Sequence, residues 1–262
     1  MPTVAVNDIE VYYEIHGRGD PLMLITGLGG VGASWGKQIR LFAEAFRTIV
    51  PDHRGTGRTS VTEGGYTIEQ HASDMAETLR ALDTGPAHIV GTSTGGAIAQ
   101  AMALDHSDVV RSVVLASTWA KTDAYYKRCL ETRKTLVENL GFRAYTEASS
   151  LFWWSARYIR EHYEEVVRWE VARLANPADE EVTAKRVGML IHHDQLDRLG
   201  RVRKPVLVLV GKEDTCTPPY FSEELARVIP GAELEILDGG HFLSLESPDL
   251  FHARVRDFLE RH

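Results

Sequence analysis

The sequence has few cysteines, no excess of positive charge and no long hydrophobic run. Its two cysteines, Cys129 and Cys216, are far apart and make no disulfide framework, so we expect free thiols in a reducing compartment. Lysine and arginine number 29 against 37 acidic residues, which argues against a nucleic-acid-binding protein. No stretch approaches the roughly 18 apolar residues of a membrane span, and no signal-peptide pattern opens the chain. We therefore expect a cytoplasmic protein with no membrane or nucleic-acid partner.

The sequence also lacks internal repeats and linkers, and 262 residues suit one large α/β domain. The first fifteen residues alternate between apolar and polar side chains, which predicts an antiparallel hairpin. Short apolar runs then alternate with helical segments, as expected for a mostly parallel sheet covered on both faces. Helix starts are expected at Thr67, which has Gln70 at capping-box spacing, and at Ser247, which precedes Pro248. The pattern predicts a doubly wound α/β fold.

One block interrupts this alternation of strands and helices. Residues 119–204 contain several amphipathic helical segments and no good strand, with breaks at Gly141 and at Asn176–Pro177. The run "KPVLVLVG" then resumes the sheet. We therefore predict a core made of residues 1–118 and 205–262, with residues 119–204 inserted as a helical cap.

A glycine-rich segment follows the first buried strand. Gly27, Gly29 and Gly32 form G-x-G-x-x-G, and Asp52 lies 20 residues after Gly32, as in a dinucleotide-binding fingerprint. Two features disagree with that fingerprint. A hairpin precedes the strand, and the segment after the glycines begins with the bulky Trp35. The sequence therefore does not favour a nicotinamide or flavin enzyme, and we expect no cofactor.

The strongest motif is G-x-S-x-G in "HIVGTSTGGAIAQ". Gly91, Ser93 and Gly95 lie between a buried strand and a buried helix, the setting of a nucleophile elbow. The turn is so tight that the positions two before and two after the serine must be small. The backbone N–H of Thr94 would point at a developing oxyanion near the helix N-terminus. The motif predicts Ser93 as a nucleophile.

Two further residues follow later strands in the order that such a nucleophile requires. A serine needs a general base, and the base needs a group that fixes its tautomer. Asp214 follows the strand "VLVLVG", and His241 lies in a glycine-rich loop after "LEIL". Glu213 is the local rival for the acid, and Asp214 is preferred by its motif position. The order Ser93, Asp214, His241 predicts a triad at the carboxyl ends of parallel strands.

The adjacent His192, His193 and Asp194 invite a metal-site interpretation. Neighbouring residues on a helix face different directions, and no third ligand has zinc spacing. We therefore expect a surface pair of histidines and no metal.

On these motifs the chain resembles the α/β-hydrolase family over nearly its whole length. "DHRGTGRTS" is similar to that family's turn after the fourth strand, which gives Asp52 and Arg54 a structural role. "TGLGG" occupies the slot of the second oxyanion-hole donor, which the resemblance assigns to the N–H of Leu28. Thr26 stands where the family commonly has histidine.

Within the family, "LITGLGG", "DHRGTG", "YYKRCLETRKTLVENLG" and "GGHF" are most similar to two groups. These are the aminoacrylate (carbamate-type) hydrolases of pyrimidine degradation and the 3-oxoadipate enol-lactonases. The resemblance implies a serine hydrolase that cleaves a small ester, lactone, amide or carbamate through an acyl-enzyme. Aromatic residues of the cap and the glycine loop are candidate pocket walls; we name Trp35, Trp119 and Trp154. A homodimer is compatible with this interpretation.

Three alternatives remain open on the same residues. A carbon–carbon bond hydrolase acting on a ring-cleavage product would use the same triad, as would a cofactor-free perhydrolase. A ligand receptor with a hydrolase fold belongs to a different class, and slow or absent turnover would favour it. An intact Ser–Asp–His set favours an enzyme, because a receptor needs no nucleophile.

Overall fold

The computed structural model describes residues 2–262 and centres on one eight-stranded sheet. The strands, in chain order, are β1 (Thr3–Val6), β2 (Ile9–His16), β3 (Asp20–Ile25), β4 (Phe46–Pro51), β5 (Ala87–Thr92), β6 (Val110–Ala116), β7 (Val206–Gly211) and β8 (Glu233–Leu237). Their order across the sheet is β1-β2-β4-β3-β5-β6-β7-β8. The pairs β1·β2 and β2·β4 are antiparallel, and β4, β3 and β5 to β8 pair in parallel. The predicted mostly parallel sheet with an N-terminal hairpin is confirmed.

Helices cover both faces of this sheet. They are α1 (Lys37–Ala43), α2 (Ile68–Ala81), α3 (Thr94–Asp105), α4 (Ala124–Trp153), α5 (Ala156–Glu161), α6 (Tyr163–Ala175), α7 (Glu180–Ile191), α8 (Pro219–Val228), α9 (Leu243–Glu246) and α10 (Pro248–Glu260). None of the helices within residues 2–262 is both long and apolar enough to cross a membrane.

The central strands are buried on both sides, as their uninterrupted apolar sequences predict. All six residues of β7 are buried, and one large apolar cluster packs α2 and α3 on one face. A second cluster packs α1 and α10 on the other face. This two-sided packing confirms the doubly wound arrangement.

The two predicted helix starts differ in how they are capped. The Thr67 hydroxyl accepts a hydrogen bond from Gln70 N at 3.0 Å, as a capping residue should. Ser247 precedes α10, with Pro248 as its first residue, but its hydroxyl donates to the Asp238 carbonyl at 2.8 Å instead. The predicted boundary at Ser247 is right. Ser247 holds the N-cap position, but its hydroxyl makes no capping bond, because it binds the backbone at the end of β8.

Four consecutive helices, α4 to α7, separate β6 from β7 in the chain, where the sequence predicts the inserted cap. The long α4 breaks at Gly141, which has φ of 80°, a conformation that glycine adopts without a steric penalty. Packing between α4 and α7 holds the helices together. The domain limits at residues 119 and 204 stay a prediction.

Candidate active site

Ser93 lies in the tight turn between β5 and α3. Its φ of 54° is strained for a residue with a side chain, and it projects the hydroxyl away from the end of the strand. A Cβ built on Gly91 would lie 2.2 Å from the Gly95 carbonyl oxygen, and one on Gly95 would lie 2.2 Å from the Ile25 carbonyl oxygen. Any larger residue at position 91 or 95 would therefore collide with backbone atoms, so both positions require glycine.

The structure brings the three predicted triad residues into one hydrogen-bonded series. The Nε2 atom of His241 lies 3.0 Å from Ser93 Oγ, and its Nδ1 atom lies 2.9 Å from Asp214 Oδ2. A carboxylate only accepts, so the Nδ1–H donates to Asp214 and Nε2 is free to accept the Ser93 proton. Ser93 follows β5, Asp214 follows β7 and His241 follows β8. All three therefore meet at the carboxyl edge of the sheet.

Asp214 is fixed in place by the turn that follows it. Its Oδ1 accepts from the backbone N–H groups of Cys216 and Thr217 at 2.9 and 2.8 Å, and its Oδ2 accepts from the Thr217 hydroxyl at 3.0 Å. Burial lowers the pKa of His241, but the adjacent Asp214 carboxylate outweighs burial and raises that pKa above its ordinary value. Asp214 thus both orients the imidazole and stabilises its protonated form.

The two residues expected to bind an oxyanion through their backbone N–H groups, Leu28 and Thr94, both lie close to Ser93. Thr94 is the first residue of α3, so its N–H has no acceptor within the helix. Leu28 lines the cavity above Ser93, and a Cβ on the preceding Gly27 would lie 3.3 Å from Ser93 Cβ. Thr26, which stands where the family commonly has histidine, shares a hydrogen bond of 2.8 Å with the Ser34 hydroxyl.

Arg186, from cap helix α7, binds the backbone carbonyl of Leu28. Its Nε and Nη2 atoms donate to the Leu28 carbonyl at 3.1 and 2.9 Å, and Nη1 donates to the Arg54 carbonyl. Its other hydrogen-bond partners are two neutral histidines. Arg186 Nη1 lies 2.8 Å from His71 Nε2, and Nη2 lies 3.1 Å from His53 Nδ1. Burial, reinforced by the Arg186 charge, lowers the pKa of His71 to about 3. This arginine was not singled out from the sequence.

A cavity opens over Ser93 and His241, between the glycine loop and the cap. Predicted pocket residue Trp35 lines it from the core, and Trp153 and Trp169 line it from the cap. Trp35 is itself 2% exposed and packs on Phe251. The cavity therefore has aromatic walls and the Ser93 hydroxyl at its base.

The structure does not bring the other two predicted pocket tryptophans to this cavity. Trp119 is fully buried against Tyr126 and His193, and its Nε1 donates to the Thr122 hydroxyl. Trp154 is 5% exposed, stacks on Tyr158 and packs on Phe242, and it is not among the residues that line the cavity. The preceding residue, Trp153, does line the cavity, because successive residues at a helix end face different ways.

Two charged residues of the cavity, Arg133 and Arg173, were also missed. Arg133 is 2% exposed, and Arg173 lies with its guanidinium over Trp153 and Trp169. A signal exists in the sequence, because each arginine interrupts the apolar face of its helix. Arg133 lies four residues after the buried Cys129, and Arg173 lies four after Trp169.

The remaining residues named in the sequence analysis have structural roles rather than roles in the cavity. Asp52 accepts from Gly32 N at 2.7 Å and Arg58 N at 3.0 Å, and Arg54 binds Asp74, so both secure the turn after β4. The expected surface histidine pair is wrong for His193, which is 5% exposed beneath Trp119. Within residues 2–262, no group of three or more metal-ligating side chains is assembled.

The loop that carries His241 is attached to the cap. Glu246 accepts from Gly240 N at 3.0 Å and, from the cap, from Ser155 N and the Ser155 hydroxyl at 2.7 and 2.8 Å. The Phe242 N–H donates to the Trp153 carbonyl at 2.9 Å. The end of α4 and the histidine loop therefore form one hydrogen-bonded unit.

Comparisons with known proteins agree with this architecture. The family described as "alpha/beta hydrolase fold" matches residues 20–147. A protein of Azorhizobium caulinodans named "Putative carbamate hydrolase RutD" is 34% identical over 98% of both chains. Its namesake in Agrobacterium fabrum is 36% identical over 95% of this chain and 98% of its own. The crystal structure of the enol-lactonase from Burkholderia xenovorans is similar with a TM-score of 0.91 at 28% identity, covering 99% of this chain and 100% of that one.

Proposed function

The chain belongs to the α/β-hydrolase family, and we propose that it is a serine hydrolase of small esters, lactones or carbamates. One observation carries the proposal. A strained serine, a histidine and a buried carboxylate form a hydrogen-bonded series that opens into an aromatic cavity. The names of the carbamate-hydrolase and enol-lactonase relatives support cleavage of an acyl bond in a small molecule.

In the proposed acylation step, the Ser93 oxygen attacks the substrate carbonyl while His241 Nε2 accepts its proton. The carbonyl oxygen becomes negative and accepts hydrogen bonds from the N–H groups of Leu28 and Thr94. Asp214 stabilises the imidazolium that forms. The imidazolium then gives its proton to the leaving group, the carbon–oxygen or carbon–nitrogen bond breaks, and an acyl-enzyme remains.

Deacylation repeats the same chemistry with water. His241 removes a proton from a water molecule, whose oxygen attacks the acyl carbon, and the proton returns to Ser93 as the ester to the enzyme breaks. The products are a carboxylic or carbamic acid and free enzyme. These side chains and backbone groups account for the two half-reactions.

The first test is nucleophile labelling. We expect a fluorophosphonate to form a one-to-one adduct, seen by intact mass, and p-nitrophenyl acetate to give a burst of p-nitrophenol. Ser93→Ala should lose both the adduct and the burst, and its kcat should fall about 10⁶-fold, because the triad acts as a unit. Ser60→Ala, a change in the turn after β4, is the matched control.

Equal rates and no adduct in the wild type and in Ser93→Ala would refute the proposal. A ligand receptor would then become the better interpretation. An intact nucleophile that cleaves ring-cleavage dienoates faster than esters, lactones and carbamates would instead assign the triad to a carbon–carbon bond hydrolase.

A further inference from the structure

Two residues directly after β6 have features that the proposed mechanism does not use. Ser117 has φ of 47°, a left-handed conformation that residues with a side chain rarely adopt. It is fully buried, and its N–H donates to the Leu209 carbonyl of β7 at 2.8 Å. The next residue, Thr118, is fully buried as well. Backbone strain persists only where the surrounding structure holds it in place, and it is most common beside functional sites.

This turn brings the Thr118 hydroxyl to the backbone of the nucleophile. The hydroxyl donates to the Ser93 carbonyl oxygen at 2.8 Å, and the Ser93 N–H donates to the carbonyl of Ala116, the last residue of β6, also at 2.8 Å. A Cβ built on Gly96 would lie 2.6 Å from Thr118 Cβ, so the close approach depends on glycine at position 96. Both backbone polar groups of Ser93 are therefore bound by the end of β6.

The carbonyl that Thr118 binds belongs to the same peptide group as a proposed oxyanion donor. The peptide between Ser93 and Thr94 carries the Ser93 C=O and the Thr94 N–H. Peptide groups are planar, and in the trans form these two bonds point in opposite directions. The carbonyl points into α3, where it accepts from Gly96 N at 2.9 Å, so the N–H points out of the helix N-terminus. A contact that fixes the carbonyl therefore also fixes the direction of the N–H.

We propose that Thr118 is a positioning residue for the oxyanion hole, and that it acts through the peptide between Ser93 and Thr94. This inference rests on the proposed function for the reacting bond. A hydrogen bond to the carbonyl oxygen holds the peptide plane and also polarises the peptide, which makes its N–H a stronger donor. Thr118 is shielded from bulk water, so removal of its hydroxyl leaves the carbonyl without that donor.

The test uses two reactions in which Ser93 creates a negative oxygen. In 1,1,1-trifluoroacetone the carbonyl carbon bonds to Ser93 Oγ, the serine proton passes to His241, and the carbonyl oxygen becomes an oxyanion. We expect Thr118→Val to raise the Ki of this ketone about tenfold and to lower kcat/KM for p-nitrophenyl acetate by a similar factor. This effect is smaller than the roughly 10²- to 10³-fold cost of losing an oxyanion donor, because the Thr94 N–H is still present.

Three comparisons separate this role from a purely structural one. Thr118→Ser keeps the hydroxyl and should retain most of the wild-type Ki and kcat/KM. The acidic limb of the kcat/KM profile, which reports His241, should not move in Thr118→Val. Thr78→Val is the matched control, because Thr78 is fully buried in α2 and its hydroxyl donates to the Asp74 carbonyl at 2.7 Å. We expect it to lower the melting temperature as Thr118→Val does and to leave Ki and kcat/KM unchanged.

An unchanged Ki in a folded Thr118→Val would overturn the inference, as would an equal loss in Thr118→Ser. A shifted acidic limb would also overturn it, because the contact would then act on His241. If Thr118→Val does not fold, Thr118→Ala removes the same hydroxyl with a smaller side chain, and the same criteria apply. Normal fluorophosphonate labelling in these cases would leave the serine hydrolase proposal standing, whereas a wild type that forms no adduct would overturn both proposals.

Discussion

At the scale of single residues, the site depends on groups whose neighbours are fixed before substrate arrives. Asp214 has its oxygens occupied by two backbone N–H groups, one hydroxyl and the imidazole, so its carboxylate cannot rotate. His241 is almost fully buried between this carboxylate and Ser93. Such fixed donors and acceptors need little reorganisation during a reaction, which is the main advantage of an enclosed site.

Asp214→Asn is the sharpest residue-level prediction. Removing the carboxylate allows the wrong imidazole tautomer, so we expect kcat to fall about 10⁴-fold. Asp214 raises the pKa of His241, and activity requires neutral His241. The acidic limb of the kcat/KM profile should therefore move to lower pH in the variant, as measured by a pH series with p-nitrophenyl acetate.

Glu213→Gln serves as the control for this substitution. Glu213 was the rival acid in the sequence, but its carboxylate pairs with Arg157 at 3.0 Å near the surface. We expect its activity and pH profile to match those of the wild type. A large loss in Glu213→Gln with normal activity in Asp214→Asn would reverse the assignment of the acid.

At the scale of elements, the cap contacts the catalytic loops at two places. Helix α7 reaches the glycine loop through Arg186, and the end of α4 reaches the histidine loop through Glu246 and Phe242. The oxyanion loop and the general base are thus positioned partly by helices that lie outside the sheet. The cap therefore contributes to geometry as well as to the walls of the cavity.

Arg186→Met tests the first of these contacts. Leu28 would lose the two donors that hold its carbonyl, so the loop that carries the proposed oxyanion donor would be held less firmly. We expect kcat for p-nitrophenyl acetate to fall about 10- to 100-fold with a smaller change in KM, because small displacements of a positioning group cost that much. Melting temperature and fluorophosphonate labelling rate, measured together, separate this effect from unfolding.

Lys185→Met is the neighbouring control, since Lys185 is only partly buried and pairs with Glu181 at 2.7 Å. We expect it to behave like the wild type in both assays. A folded Arg186→Met with wild-type kcat and labelling rate would show that α7 does not position the oxyanion loop.

At the scale of the whole molecule, several histidines are buried without charge. Burial lowers the pKa of His71 to about 3 and that of His193 to about 4. His71 has a fixed tautomer, because Nδ1 donates to the Thr67 carbonyl and Nε2 accepts from Arg186. Neither ring can take up a proton in the folded state without losing packing or hydrogen bonds.

These histidines should make the fold sensitive to acid. Below pH 6.5 these histidines bind protons in the unfolded chain but stay neutral in the folded chain. The free energy of unfolding should therefore fall as the pH falls towards 4. Because the pKa of His241 is raised, its titration changes the free energy of unfolding only above pH 6.5. It therefore does not contribute to the slope between pH 4 and 6.5. Urea denaturation at several pH values measures the slope.

His193→Asn should lower that slope by about 1.4 kcal/mol per pH unit, the contribution of one titrating group. His192→Asn, which alters the exposed neighbour, should leave the slope as it is. An unchanged slope in His193→Asn would mean that His193 takes up its proton in the folded state.

The fold class and the local geometry at Ser93 could be predicted from the amino-acid pattern alone. Apolar runs of strand length, separated by amphipathic helices, require a sheet covered on both faces, and G-x-S-x-G requires a tight turn. Both depend on neighbours in the chain or on burial that repeats with a fixed period. The triad of Ser93, Asp214 and His241 could be predicted for the same reason, since each residue follows a strand.

Which cap residues face the cavity could not be predicted in this way, because it depends on how the helices pack. The sequence analysis named Trp119 and Trp154 as cap residues of the pocket, yet they pack elsewhere and Trp153 lines the cavity instead. Arg173 and Arg186 come from two cap helices and reach the glycine loop across more than a hundred residues of chain. Such contacts depend on how helices pack against each other and on the sheet. Helical periodicity predicts which face of a helix is buried, but it does not predict which element that face contacts.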